Sequence, residues 1–279
     1  MDNFKIVTDS SSDLLTLGGV PFQSVPLKIR TEQTEYVDDA SLDVQQMVDD
    51  LYEHKGRSSS SCPNTQEWLD AFGDAQYVFC VTITGTLSGS YNAALTAKEL
   101  YEEAYPDRKV YVLNSLSTGP AMALMLEKID EWITDGVSFE EIVERLPAYR
   151  SKAKLLFVLE SMKNLANNGR VKPLVAKMAG VLGIRAVGVA SEQGDLQMIA
   201  KCRGEKKMLE TVVEYVRSVG VVGHKIRIAH CFNEQTARAL KEKLREAIPN
   251  LPPIELYNSR GLCSFYAEKG GLLVGFETP

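Results

Sequence analysis

A chain of 279 residues exceeds what one hydrophobic core ordinarily organises, so about two domains are expected. Its 44% hydrophobic and 24% charged residues are ordinary for a folded globular protein and exclude a disordered or low-complexity chain. Thirty-one basic against 37 acidic side chains leave a net charge of −6, which argues against nucleic acid or an anionic membrane surface as the general partner.

No apolar run reaches the roughly 18 residues that a membrane helix needs, and the opening MDNFKIVTDSSSD lacks signal-peptide grammar. A cytoplasmic protein with no integral membrane segment is expected. Cys62, Cys80, Cys202, Cys231 and Cys263 are widely spaced, form no CxxC pair and have only three histidines to join them. They read as small apolar fillers in a reducing compartment, with neither a disulfide framework nor a metal site.

In chain order, β-branched apolar runs at Phe4 to Thr8, Ser24 to Ile29, Tyr77 to Ile83 and Lys109 to Leu113 predict strands. Between and after them, Asp43 to His54, Thr65 to Gly73, Ser90 to Tyr105 and Pro120 to Asp135 carry apolar residues at three-and-four spacing and predict helices. This alternation is the grammar of βαβ units around a mostly parallel sheet. Ser138 to Leu146 reads as a further helix, with Ser138 and Glu141 forming a capping box and Pro147 marking its end. A domain edge near residue 150 follows, giving an N-terminal α/β domain at 1–150 and a C-terminal α/β domain at 151–279.

Beyond it come a strand at Lys154 to Leu159, a glycine-punctuated stretch from Asn167 to Gly183, and a hairpin joining Ile184 to Ala190 with Leu196 to Arg203 through SEQGD. A helix at Glu205 to Val219, a strand at Lys225 to Cys231, a helix at Glu234 to Ile248, a strand at Ile254 to Tyr257 and a last strand in Gly270 to Phe276 complete the pattern.

Three turns after first-half strands are rich in hydroxyls and glycine: Asp9 to Asp13, Thr84 to Ser90, and Asn114 to Gly119. In a parallel sheet they share one edge, where helix starts offer N–H groups to an anion. No GxGxxG follows the first strand and no GxxxxGK[ST] occurs, so dinucleotides and P-loop nucleotides are not expected, and no cofactor is implied. The Thr84 turn has no lysine, which suits a single carboxylate better than a phosphate. The run from Ser58 to Pro63 reads by composition as a linker.

A serine nucleophile at Ser88 is the competing reading, because Gly85-Thr86-Leu87-Ser88-Gly89 lies at a strand-to-helix turn. Its spacing departs from the hydrolase elbow G-x-S-x-G, and His230 reads as a structural histidine. No metal-ligand motif is present. Lys201, Arg203, Lys206 and Lys207, with Arg170 upstream, form a basic cluster that would dock an acidic or phosphate-bearing partner.

On these residues the chain resembles the DegV family, bacterial fatty-acid-binding proteins that include the binding subunit of fatty acid kinase. KIVTDSSSDL resembles the family's opening strand and turn, Thr86-Leu87-Ser88-Gly89-Ser90-Tyr91 its Leu-Ser-Gly-Thr-Tyr turn, and Asn167-Asn168-Gly169-Arg170-Val171 its glycine-arginine turn. Arg203-Gly204 and the lysine run resemble its second-domain signature.

The resemblance implies two α/β domains with a long-chain fatty acid at their junction, its tail in the second domain. It implies a non-catalytic protein that presents the lipid to a separate fatty acid kinase catalytic subunit. The family's Thr-Ser-Gln-Pro falls on Ser60-Ser61-Cys62-Pro63, so Ser60 and Ser88 are the expected carboxylate ligands, with Ser61, Gly89 and Ser90 beside them. The family's His-x-Gly-Pro-Gly falls on Tyr257-Asn258-Ser259-Arg260-Gly261, which leaves Tyr257 where a histidine is usual.

Overall fold

The computed structural model describes residues 3–173 and 183–279. Part of the Asn167 to Gly183 stretch lies outside them. Four parallel strands, β1 (Phe4–Asp9), β2 (Phe22–Val25), β6 (Tyr77–Thr82) and β7 (Lys109–Asn114), form a sheet in the order β2-β1-β6-β7. Helices α2 (Thr65–Phe72), α3 (Ser90–Ala104), α4 (Gly119–Thr134) and α5 (Phe139–Lys152) cover it. Val7, Cys80 and Val112 face one helical layer, and Ile6, Phe79 and Leu113 face the other, as expected for strands buried on both sides.

The second sheet runs β10-β9-β8-β13-β11-β12, from β10 (Leu196–Arg203), β9 (Ile184–Ala190), β8 (Ala153–Leu159), β13 (Leu272–Glu277), β11 (Val222–His230) and β12 (Ile254–Asn258). Only β11 and β12 pair in parallel; the other neighbours are antiparallel. Helices α7 (Glu205–Val219) and α8 (Glu234–Ala247) fill one face through Met208, Val212, Val216, Leu240 and Leu244. The other face turns toward the first sheet. There α4 lies against both sheets, and Gly275 on β13 lets it come close: a Cβ at that position would stand 2.6 Å from the Pro120 carbonyl carbon.

Between the sheets lie a three-stranded ribbon, β4 (Glu35–Val37), β3 (Lys28–Arg30) and β5 (Ser59–Ser61), and three short helices. These are α1 (Val44–Glu53), α6 (Lys163–Asn167) and α9 (Gly261–Ala267). The expected strand from Ser24 to Ile29 is therefore two strands. Val25 pairs with Asp9 in the first sheet, while Lys28 to Arg30 pair with β4 and β5; Pro26 between them has no N–H to continue a ladder.

The expected linker at Ser58 to Pro63 contains β5, whose Ser60 pairs with Ile29. Pro147 does not end its helix. Ile142, Leu146 and Tyr149 keep one buried face on the core, and the capping box of Ser138 and Glu141 secures the start, so α5 continues to Lys152. The hairpin at 184–203 and helix α7 form where the sequence placed them.

Candidate functional site

A cavity of about 280 Å³ opens between the two sheets. Its apolar wall is the inward face of the second sheet: Leu155, Phe157 and Leu159 alternate along β8, Leu273 lies beside Phe157 on β13, and Ala190 and Leu196 continue the wall across β9 and β10. Leu27, Ile83 and Leu262 close the opposite side.

One end of the wall is polar. Ser60 and Ser61 come from β5, Ser88 and Gly89 from the turn before α3, Arg170 from the turn after α6, and Tyr266 from α9. The Ser60 Oγ and Tyr266 Oη lie 2.7 Å apart. Arg170 donates from Nε to the Leu87 carbonyl at 3.0 Å and from Nη1 to the Asn168 carbonyl at 2.5 Å, and its guanidinium stands 5.9 Å from the Tyr266 ring centre.

The Ser88 Oγ accepts the Ser90 N–H at 3.3 Å, which leaves the Ser88 proton to donate. Gly89 is the N-cap of the 15-residue α3 and supplies no capping side chain, so its first-turn N–H groups face the same end as Ser88. Thr118, the N-cap of α4, also lines the cavity; its hydroxyl donates to the Ser11 carbonyl and accepts no N–H from its own helix. The chemistry that fits is an anionic head held by hydroxyls, a guanidinium and helix starts, with an apolar tail along β8.

Ser90 does not line the cavity. Its hydroxyl donates to Asp9 at 2.6 Å, and Asp9 also accepts from Ser11 Oγ at 2.5 Å, from the Ser11 N–H at 3.3 Å and from the Ile83 N–H at 2.9 Å. Burial pushes the Asp9 carboxyl up, and these four donors oppose that shift. The Asp9 turn thus spends its donors on its own carboxylate and is not free for a guest anion. In the third turn, Ser115 donates to the Ser117 carbonyl, while Asn114 accepts the Gly85 and Leu116 N–H groups.

Of the five expected cations, Arg170 reaches the cavity wall. Arg203 lies at the far end of β10 from the cavity-lining Leu196, a strand length of about 20 Å, and Lys206 and Lys207 begin α7 beyond it. Lys201 lies on the same distal half of β10. These four side chains are exposed, and none of them lines the cavity.

Tyr257 does not line the cavity; its hydroxyl is buried and the Arg227 guanidinium stands 5.6 Å from its ring centre. Tyr266, which the sequence reading missed, lines the cavity beside Ser60; its position in a short helix after β12 carried no motif. Burial pushes its hydroxyl pKa up, so it remains a neutral donor at neutral pH. Among the described residues no histidine lines the cavity: His54 pairs with Glu32, His224 stands 3.8 Å from Glu131, and His230 Nδ1 accepts the Asn233 N–H at 3.4 Å. Ser88 consequently has no imidazole base beside it.

Two α/β sheets around a cavity that is apolar along its length and hydroxylated at one end make a protein shaped to enclose an amphiphile. The chain belongs to the DegV family, whose model, described as one of uncharacterised proteins, matches residues 3–277. It is 44% identical over 278 residues to a DegV domain-containing protein of Streptococcus pneumoniae, covering 98% of this chain and 99% of that one.

The same fold recurs in the fatty acid kinase (Fak) B3 protein of Streptococcus pneumoniae loaded with linoleic acid, with a TM-score of 0.96 and 44% identity over all of both chains. It recurs in a DegV family protein of Eubacterium eligens loaded with heptadecanoic acid, with a TM-score of 0.95 and 43% identity over 99% of this chain and 100% of that one. A DegV family protein of Ruminococcus gnavus refined with vaccenic acid gives 0.89 and 30% identity, over 98% and 99% of the two chains.

Proposed function

We propose that this protein binds one long-chain fatty acid, its carboxylate held by Ser60 and Ser88 and its tail along β8, and presents it to a separate ATP-dependent kinase that forms the acyl phosphate. On this reading the chain divides near residue 150 into two domains with the carboxylate at their junction, and the protein is itself non-catalytic. The observation that carries the reading is the cavity's polarity: an apolar wall of Leu155, Phe157, Leu159 and Leu273 that ends at Ser60, Ser88, Arg170 and Gly89 at the start of α3. Similar proteins with bound fatty acids support it.

The energetics are adequate. At about 0.8 kcal/mol per buried CH₂, some fifteen methylenes supply on the order of 12 kcal/mol, from which the ordering of a flexible tail is subtracted. Hydrogen bonds to the carboxylate then fix which end faces the junction. A serine hydrolase at Ser88 lacks both the elbow spacing and a histidine in the cavity lining.

Protein expressed in bacteria should release about one fatty acid per chain on denaturing solvent extraction, read by mass spectrometry. Delipidated protein should melt lower and recover on adding palmitate or oleate, because a ligand bound only to the native state stabilises it. An empty extract together with no thermal shift from either acid overturns the reading.

A further inference from the structure

Three successive residues on one face of β9 are small, and that face ends at the larger Ile184. Ala186, Gly188 and Ala190 share the face that carries Leu155, Phe157 and Leu159 on β8, because the antiparallel register sets Phe157 opposite Gly188 and Leu159 opposite Ala186. On the other side of β9, Met198 stands opposite Gly188 and Leu196 opposite Ala190. A trough floored by small side chains thus runs along β9 between two ridges. The cavity enters it at Ala190 and goes no further, since neither Gly188 nor Ala186 lines the open space.

What fills the trough at that point is the Phe157 ring. A Cβ at Gly188 would stand 2.2 Å from Phe157 Cζ, 2.6 Å from Phe157 Cε2 and 2.6 Å from the Gln197 carbonyl oxygen, so the ring, together with the β10 backbone, occupies the volume that a side chain at 188 would take. Phe157 lines the open space and is 3% exposed. Beyond it Ala186 is fully buried.

Resting on the fatty-acid reading above, we propose that Phe157, laid across Gly188, is the specificity-determining residue that sets the upper limit of acyl-chain length by closing the β9 branch of the cavity. Shortening the side chain opens the branch toward Ala186 and gives the last methylenes of a longer chain an apolar place. Wild-type protein leaves those methylenes in water or forces the chain to fold back, so affinity stops rising with length. Each pair of methylenes newly accommodated should gain about tenfold in affinity.

The test is the affinity of delipidated wild type, Phe157→Leu and Phe157→Ala for saturated acids of 14, 16, 18, 20 and 22 carbons, with Ser88→Ala as a control. The length of tightest binding should move up by two carbons or more in Phe157→Ala, by less in Phe157→Leu, and not at all in Ser88→Ala, which weakens every length alike. An unmoved optimum in folded Phe157→Ala, or an equal loss at all lengths, overturns the proposal while leaving fatty-acid binding intact. Wild type that binds no acid of the series overturns the fatty-acid reading instead.

Discussion

Ser60 on β5 and Ser88 in the turn between β6 and α3 come from different elements, yet both line the cavity. A hydrogen bond to a charged group contributes about 1.5 to 3 kcal/mol, so Ser88→Ala should weaken fatty-acid binding by roughly 1 to 3 kcal/mol, and Ser60→Ala by a similar amount. The double variant should lose less than the sum if both serve one carboxylate, since neighbours on a shared partner couple. Calorimetric titration of delipidated protein measures this; unchanged affinity in both single variants would move the head group elsewhere. Ser60 carries a further dependence: Tyr266 Oη, 2.7 Å away, orients its hydroxyl. The chain's motifs show Ser88 because a hydroxyl before a helix has a local signature, whereas the Ser60 to Tyr266 contact spans 206 residues and exists only once α9 docks.

At the scale of elements, that docking depends on buried carboxylates. Asp38 accepts the Gly261 and Leu262 N–H groups at the start of α9 at 2.9 and 2.8 Å, and Asp13 accepts the Arg260 N–H at 2.9 Å. Burial, reinforced by the nearby Asp38 carboxylate and opposed by the Arg260 N–H, pushes the Asp13 carboxyl up to about 7. The unfolded chain releases this proton near pH 4, so between about pH 4 and 7 the folded state binds more protons. Stability should therefore fall as pH rises through that window, by up to about 1.4 kcal/mol per pH unit, and level off above it.

Asp13→Asn should flatten this slope, while the contribution of Asp38, also raised by burial, persists in both proteins. Denaturant melts at pH 5 and pH 7 check it; equal slopes in the two proteins would remove Asp13 from the account. Elements with a local pattern, such as α7 and the 184–203 hairpin, are legible in the chain. Those decided by a distant partner are not: β5 is a serine run until Lys28 to Arg30 offer it a ladder, and α5 outlasts Pro147 because its buried face holds it.

Across the whole molecule, the basic surface of Arg203, Lys206 and Lys207 lies about 20 Å along β10 from the cavity-lining Leu196. In a chain of net charge −6 it suits an acidic face on a kinase. Charge reversal at Arg203 or Lys206 should slow kinase-coupled acyl phosphate formation and lessen its salt sensitivity, with fatty-acid affinity of the isolated protein little changed. Coupled turnover with a cognate kinase, alongside separate binding measurements, distinguishes docking from lipid anchoring. Unaltered turnover and salt dependence in both reversals would leave the surface a solvated face.

Strand β10 ends its sheet, and among the described residues its outer edge pairs with no further strand. Such an edge invites a second copy to add a strand, with oligomers and aggregates as the result. Two features of β10 counter that: the register shift between Met198 and Ala200, which interrupts the flat ladder a newcomer would need, and the charge of exposed Arg203 at its end. The Arg203 charge that would suit a partner's acidic face thus also opposes strand addition by a second copy. Neutralising Arg203 should raise light scattering on storage or mild heating before it alters any lipid measurement.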